Sequence, residues 1–497
     1  MFLWVTSPGP ATYGGGGRVF VSPVFFDVTP PDASGNRTLV KHTAGSLISV
    51  NVRGVKVGPH GLQVRNGKDG LLWEVVPPVV AHNGKQLILN AGGDTVEIVR
   101  AVMGEKHTLM LYDAENRLIE KPKPILPKLL KGKRVMQPIT AQGINVFLDE
   151  PGAVIEPEQG QADGAVLQTQ NGSLVYYSIM VNDVFAYYLT GVKDNAIVHM
   201  PGNLLNPFPN TFPILGEDLS QITAFAKAHG VPKLPDSVAL VVELKASWVE
   251  SSTLTDPQNY ITMDGMIPTY DKTDPNNWVL TGTQKANLAL VGIHVVGSVA
   301  NHPEMIWATF EHKANTPNGD YSYFNTGGNL INVPMNTSGN WLFCADGAAG
   351  NFNQEHMHFS GTNIQSIAPF SISPSNTLRW KAWGNASDTY PSQDDPSPGN
   401  PAYSNTRIIS INNNVHSLLA DGDIRTNYNF IGATWTVDGS IGNEGNGQGT
   451  SRLCNSTMET YQLGSNTLFA TGGTCFSCHS AFGNASSHIF GSTAPLF

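Results

Sequence analysis

The sequence predicts a mainly β, multidomain protein with a sandwich-like core, a few short helices and a small helical segment near the C-terminus. Composition is the first reason: only 14% of the 497 residues are charged, while Gly (51) and Pro (33) are plentiful, as turn-rich chains require. The second is the recurrence of short apolar runs with period-two alternation, split by clusters of Gly, Asn, Asp and Ser. The third is that a helical apolar stripe is plain in one place only.

Residues 1–19 read as a flexible N-terminal segment. Residues 20–118 carry alternating runs such as "RVFVSPVFFDV", "LISVNVRGVKV" and "TLMLYD" between "DASGN", "RNGKDG" and "NAGGD" turns, which predicts a small β domain. Residues 119–136 read as a basic, Pro-rich connector, seven Lys and Arg residues and three prolines falling in the eighteen positions from Arg117 to Arg134. Residues 137–440 read as a large β-rich core, with strands expected in "SLVYYSIMVNDVFAYYL", "VALVVELKASWV", "LALVGIHVV", "MIWATFEHK" and "TLRWKAW". The helix is "EDLSQITAFAKAHG", with Asp218 as its N-cap, Leu219, Ile222, Phe225 and Ala226 on one face and Gly230 as its stop. "SDTYPSQDDPSPGNPAYSNT" and "DGSIGNEGNGQGTS" read as loops, the second setting off a C-terminal segment, 441–497.

The net charge of −10 is spread along the chain, which argues against a nucleic-acid partner. The longest apolar stretch, "NLALVGIHVVGSVA", is too short to span a bilayer and contains His294. The first residues lack a basic leader and an adequate apolar run; an exported protein of this sequence is expected to have had its leader removed.

Two of the four cysteines stand in "TGGTCFSCHS". On a helical turn Cys475, Cys478 and His479 fall at i, i+3 and i+4, on one face. Covalent haem c needs that arrangement: two thiols add to the porphyrin vinyl groups and the adjacent imidazole becomes the axial ligand of iron. A thioredoxin-like dithiol would need a βαβ unit that the few residues after the motif do not supply. A zinc site from Cys454, Cys475, Cys478 and His488 has spacings that match no common finger. Structural or redox disulfides are the plainer alternative.

From about residue 141 onward, "NGSLVYYSIMVNDVFAYYLTG", "VELKASW", "LVGIHVVG", "MIWATFEHKANTPNG", "NYNFIGATWT" and "STMETYQ" precede "CFSCHS" in that order. In these stretches the chain resembles largely uncharacterised bacterial periplasmic proteins of the c-type cytochrome kind, with a single Cys-x-x-Cys-His near the C-terminus. The resemblance implies export, one covalently attached haem and a redox role, and it names no substrate.

No Met follows His479, so a second iron ligand and most of the apolar wall are expected from upstream. Met458 is the first candidate, with His416 and His358 behind it; His312 and His356 stand in similar runs. His356 and His358 also give half of a cupin-type metal motif, which fails where Thr362 and Asn363 replace the required Glu. Cys344 and Cys454, left over by haem attachment, are expected to pair as a disulfide in an oxidising compartment. Two readings of function follow. One is electron transfer to a redox partner protein. The other is a haem enzyme with an open iron site and a pocket for a small-molecule substrate in the β-rich core.

Overall fold

In the computed structural model the described residues are 165–197, 212–214, 216–234, 240–299, 302–383, 401–418, 423–436, 447–450, 453–460, 475–479 and 487–497, with 18–19, 25–29, 32, 34–41, 48–49, 62–65, 72–75, 79–80, 86–92, 94–98, 100–103, 109–120, 147–148 and 439 of the rest. The structure is mainly β, with 39% strand against 19% helix.

Nine of the twelve strands of the central sheet frame the site: β1 (Phe25–Val28), β2 (Leu39–Lys41), β3 (Tyr176–Asn182), β4 (Val242–Glu250), β5 (Thr262–Asp271), β6 (Asn277–Val299), β7 (His302–His312), β8 (Tyr428–Thr436) and β9 (Gly447–Gly449). The order across it is β9-β8-β7-β6-β4-β3-β1-β2, with β5 paired to β6. Every neighbouring pair on that path is antiparallel. The sequence assigned 20–118 to a separate small β domain. Of that stretch, β1 and β2 extend the central sheet, with Phe25 and Phe26 buried in its clusters.

Alternation sorts the side chains to two faces. Leu244, Ala246 and Trp248 of β4 join Leu290, Ile293 and Val295 of β6 and Phe310 of β7 in one apolar cluster. The opposite face is divided. At one end Val181, Val296 and Trp307 pack under helices α1 (Asp183–Lys193) and α2 (Gly216–Ala228). At the other end Tyr177, Val249 and Val291 pack with Leu342, Phe343 and Met458. Between them run two largely polar cross-strand rows, Lys245–His294–Thr309 and Ser247–Gly292–Glu311.

The expected strand 173–189 ends at Asn182, and α1 begins at the next residue. The Asn182 side chain accepts the Phe185 N–H at 3.0 Å, a polar N-cap that switches the period from two to 3.6. Helix α2 buries Ile222, Phe225 and Ala226 as expected, and Gly230 ends it at φ +84°. Asp218 is not its N-cap: it lies inside the first turn, and its carboxylate takes the Ile214 N–H at 2.9 Å. The loop expected over 387–406 gives way at Pro401 to helix α3 (Pro401–Leu418), Pro being favoured at a first helical position. The expected strand "TLRWKAW" is irregular, with Arg379 bridged to Asn318.

His312, at the end of β7, is 4% exposed, stacked on Tyr260 at 3.8 Å and edge-on to Tyr428 at 5.2 Å. Burial depresses its imidazole to about 3, helped by Lys313 and opposed by a hydrogen bond with Asn259. Between that value and the ordinary 6.5 the unfolded chain binds the extra proton. The stability this ring contributes is therefore complete above the ordinary value and is lost as pH falls, by up to about 1.4 kcal/mol per pH unit. Urea unfolding across that window is expected to show a steeper acid-side slope for the parent than for His312→Phe; equal slopes would exclude the neutral buried imidazole.

Candidate functional site

The chain from Leu453 to Thr460 lies across the polar rows of the sheet. Gly292 permits the close approach: a Cβ there would sit 2.5 Å from Thr457 Oγ1 and 2.7 Å from Ser247 Oγ. Thr457 and Ser247 share a hydroxyl hydrogen bond of 2.6 Å, and Tyr177 donates its hydroxyl to the Thr457 carbonyl at 2.6 Å. Asn455 Nδ2 donates to Thr309 Oγ1 at 2.8 Å. Glu311 accepts the Ser456 N–H at 2.8 Å, the Ser456 hydroxyl and the Arg379 guanidinium, all buried. Polar side chains facing the sheet would be costly unpaired, and here they fix the segment's register.

Four titratable side chains lie along this segment, Glu459 within it and His294, Lys245 and Glu243 on the strands beneath. His294 Nε2 and Glu459 Oε1 are 2.9 Å apart, and Glu459 also accepts the Asn455 N–H at 2.7 Å. Burial alone would raise the Glu459 carboxyl, but His294, Lys245 and the Asn455 N–H together hold it below the usual carboxylate range. Burial lowers the Lys245 ammonium against the pull of Glu459 and Glu243, and it pushes the Glu243 carboxyl up to about 7.

The motif predicted to carry the chemistry forms one helical turn, α4 (Cys475–Cys478), closed by the His479 N–H donating to the Cys475 carbonyl at 2.9 Å. Phe476 anchors it, 1% exposed and edge-on to Trp307 of β7 at 6.4 Å. Cys475 and His479, one turn apart, are both partly exposed. The Cys475 thiol points to the Leu453 carbonyl at 3.9 Å. The His479 ring meets Trp307 at 4.2 Å and lies nearly parallel to His488, 14° between planes and 3.9 Å between centroids. Beyond it the chain is fastened again. Ile489 and Phe490 are buried beside Phe185 and Tyr188, Arg37 pairs with Thr493, and Lys193 Nζ donates to the Gly491 carbonyl at 3.0 Å.

The other predicted residues lie elsewhere. Met458 is fully buried among Leu167, Tyr177 and Phe343. His416 Nε2 is bonded to the Tyr428 carbonyl at 2.8 Å, and His358 sits half-buried in the short strand Met357–Ser360 beside Ala165. The disulfide expected between Cys344 and Cys454 is absent: both are buried free thiols. Hydrogen bonds from Leu342 and Phe343 to Ala314 and Asn315 hold Cys344, whereas the sheet-face network holds Cys454. Burial raises the Cys344 thiol to about 11; burial first, then Glu459 and Cys475, raises Cys454 well above its ordinary value. Sequence reasoning placed neither Trp307 nor His488 beside His479: Trp307 stood in an expected strand, and His488 was weighed only as a zinc ligand with Cys454, Cys475 and Cys478.

A thiol and an imidazole on one exposed turn, with an indole and a phenyl ring behind them, form a donor set that fits covalent porphyrin attachment. Among the described residues no three His, Cys, Asp or Glu side chains are grouped to hold a bare metal ion, and no helix is long and apolar enough to cross a membrane. Comparison with protein-family models, curated proteins and solved structures finds no match.

Proposed function

We propose that this chain is an exported c-type cytochrome that holds one haem c through Cys475 and Cys478, takes His479 as an axial ligand of iron, and passes electrons to a redox partner protein. The observation that supports it is the turn Cys475–Cys478 itself: it aligns the Cys475 thiol with the His479 imidazole, leaves both within reach of solvent, and seats them on the core through Phe476. When bound, the haem supplies one-electron chemistry. The protein's own part is positional. The two thiols fix the porphyrin as thioethers, Trp307 and Phe476 keep water from the apolar side of the turn, and the network around Glu311 and Ser456 ties the upstream segment to the sheet.

The test is direct. Parent protein matured with cytochrome c assembly machinery is expected to keep its haem through denaturation, so that intact mass equals apoprotein plus one haem. Cys475→Ser/Cys478→Ser is expected to lose all covalent haem. A parent that releases its haem into acidified organic solvent overturns the reading.

A further inference from the structure

We infer that Lys245 is a nucleophilic amine that condenses with the carbonyl group of small apolar aldehydes, with Glu243 as its proton donor and acceptor; the haem reading is not needed for it. Alternation puts Glu243 and Lys245 on the same face of β4, two residues and roughly 7 Å apart along the strand. The register sets His294 opposite Lys245 and Val296 opposite Glu243, with Trp307 next in that second row. Glu459, bonded to His294 at 2.9 Å, brings a second carboxylate within electrostatic reach of Lys245. Glu243, Lys245, His294 and Glu459 are all partly exposed, while Val181, Val296 and Ser247 on the same face are buried. Among the described residues, therefore, the middle of this face is open to small solutes between two closed apolar ends.

Other partly buried lysines are committed to partners: Lys193 Nζ donates to the Gly491 and Thr493 carbonyls, and Lys285 pairs with Asp264 at 3.4 Å. Lys245 instead meets Glu243 and Glu459 as charges at longer range, and burial lowers its ammonium, which raises the share of free amine. The Ser487 hydroxyl and the Arg37 charge favour the Glu243 anion less than burial opposes it, and its Oε2 is buried without a hydrogen-bond partner among the described residues. A carboxyl group held near neutrality both gives and takes a proton. Two carboxyl groups beside the amine oppose an anionic ligand, the ammonium opposes a metal ion, and Val296 and Trp307 favour an apolar substituent. In the step, the Lys245 nitrogen adds to the carbonyl carbon, and the oxygen takes the Glu243 proton. The nitrogen then returns a proton to Glu243, which passes it to the hydroxyl as that group leaves as water. The products are a protonated imine, a water molecule and the Glu243 carboxylate, with no oxidant or reductant required.

The experiment uses the full chain and two probes, butanal and benzaldehyde, each with cyanoborohydride to reduce any imine to a stable amine. Limiting aldehyde is expected to label Lys245 first, read by peptide mass, ahead of the exposed Lys227, Lys233 and Lys313. Lys245→Arg, which keeps the positive charge but forms no imine, is expected to lose the early label while keeping the parent's circular dichroism. Glu243→Gln is expected to label Lys245 about 100-fold more slowly, with labelling of Lys227 unchanged as the internal control. Intact mass without aldehyde reports haem attachment separately, so the two readings stand or fall apart. Labelling spread over the exposed lysines with Lys245 last overturns the inference, and so does a folded Glu243→Gln chain that labels Lys245 at the parent rate.

Discussion

Glu311→Ala is expected to lower the unfolding free energy by about 3–5 kcal/mol, the range for removing one partner of a buried ion pair. Glu311 is 1% exposed at its side chain and Arg379 6%. The substitution would leave the guanidinium without its carboxylate and the Ser456 N–H and hydroxyl without their acceptor. Two readouts bear on it. The urea midpoint should fall, and hydrogen exchange at Ser456 should quicken beyond what the global loss explains, because this residue ties the 453–460 segment to the sheet. Replacing both partners with apolar residues of similar volume, Glu311→Leu/Arg379→Met, should recover much of the loss. A Glu311→Ala protein less than about 1 kcal/mol weaker than the parent would mean that the pair is solvated.

Trp307→Ala should cost a similar amount, about 3–5 kcal/mol, since the indole is 9% exposed and its removal leaves a cavity beneath α4. Here the second readout is chemical. Trp307 touches both Phe476 and His479, so under the proposed haem attachment its loss should shift the absorption bands of the haem-loaded protein, while an equally destabilising cavity on the other sheet face, such as Phe310→Ala, should leave them in place. Trp307→Phe is expected to retain most of the stability. Identical band positions in the Trp307→Ala and parent proteins would remove the indole from the haem environment.

Much of the fold was legible because its signals are local. Period-two alternation in "VELKASWVE" and "LALVGIHVV" marked β4 and the second half of β6, and a stripe ending at Gly230 marked α2. The error at 173–189 was also local in origin. An apolar run long enough for strand and helix together hid the Asn182 cap, because buried helices read as apolar as buried strands. The start of α3 was lost in a Pro- and Ser-rich stretch whose composition is that of a loop until Pro401 becomes a first helical residue.

The sequence by itself determined the mainly β class and the turn of Cys475, Cys478 and His479, since three residues within five positions depend only on helical pitch. Tertiary structure alone decided what surrounds that turn. Trp307 lies 172 positions before His479 in the chain, and Glu311 meets Ser456 across 145. Neither pairing leaves any trace in local periodicity, and both arise because β7 presents Trp307 and Glu311 on the face where the C-terminal chain folds down. The same holds for Gly292, a plain strand glycine in the sequence, which is small because Thr457, Ser247 and Asn455 occupy the space a side chain would fill. Cys344 and Cys454 make the converse point. Counting thiols suggested a bond, but pairing also depends on the distance and orientation that the fold gives the two residues, and both are buried free thiols.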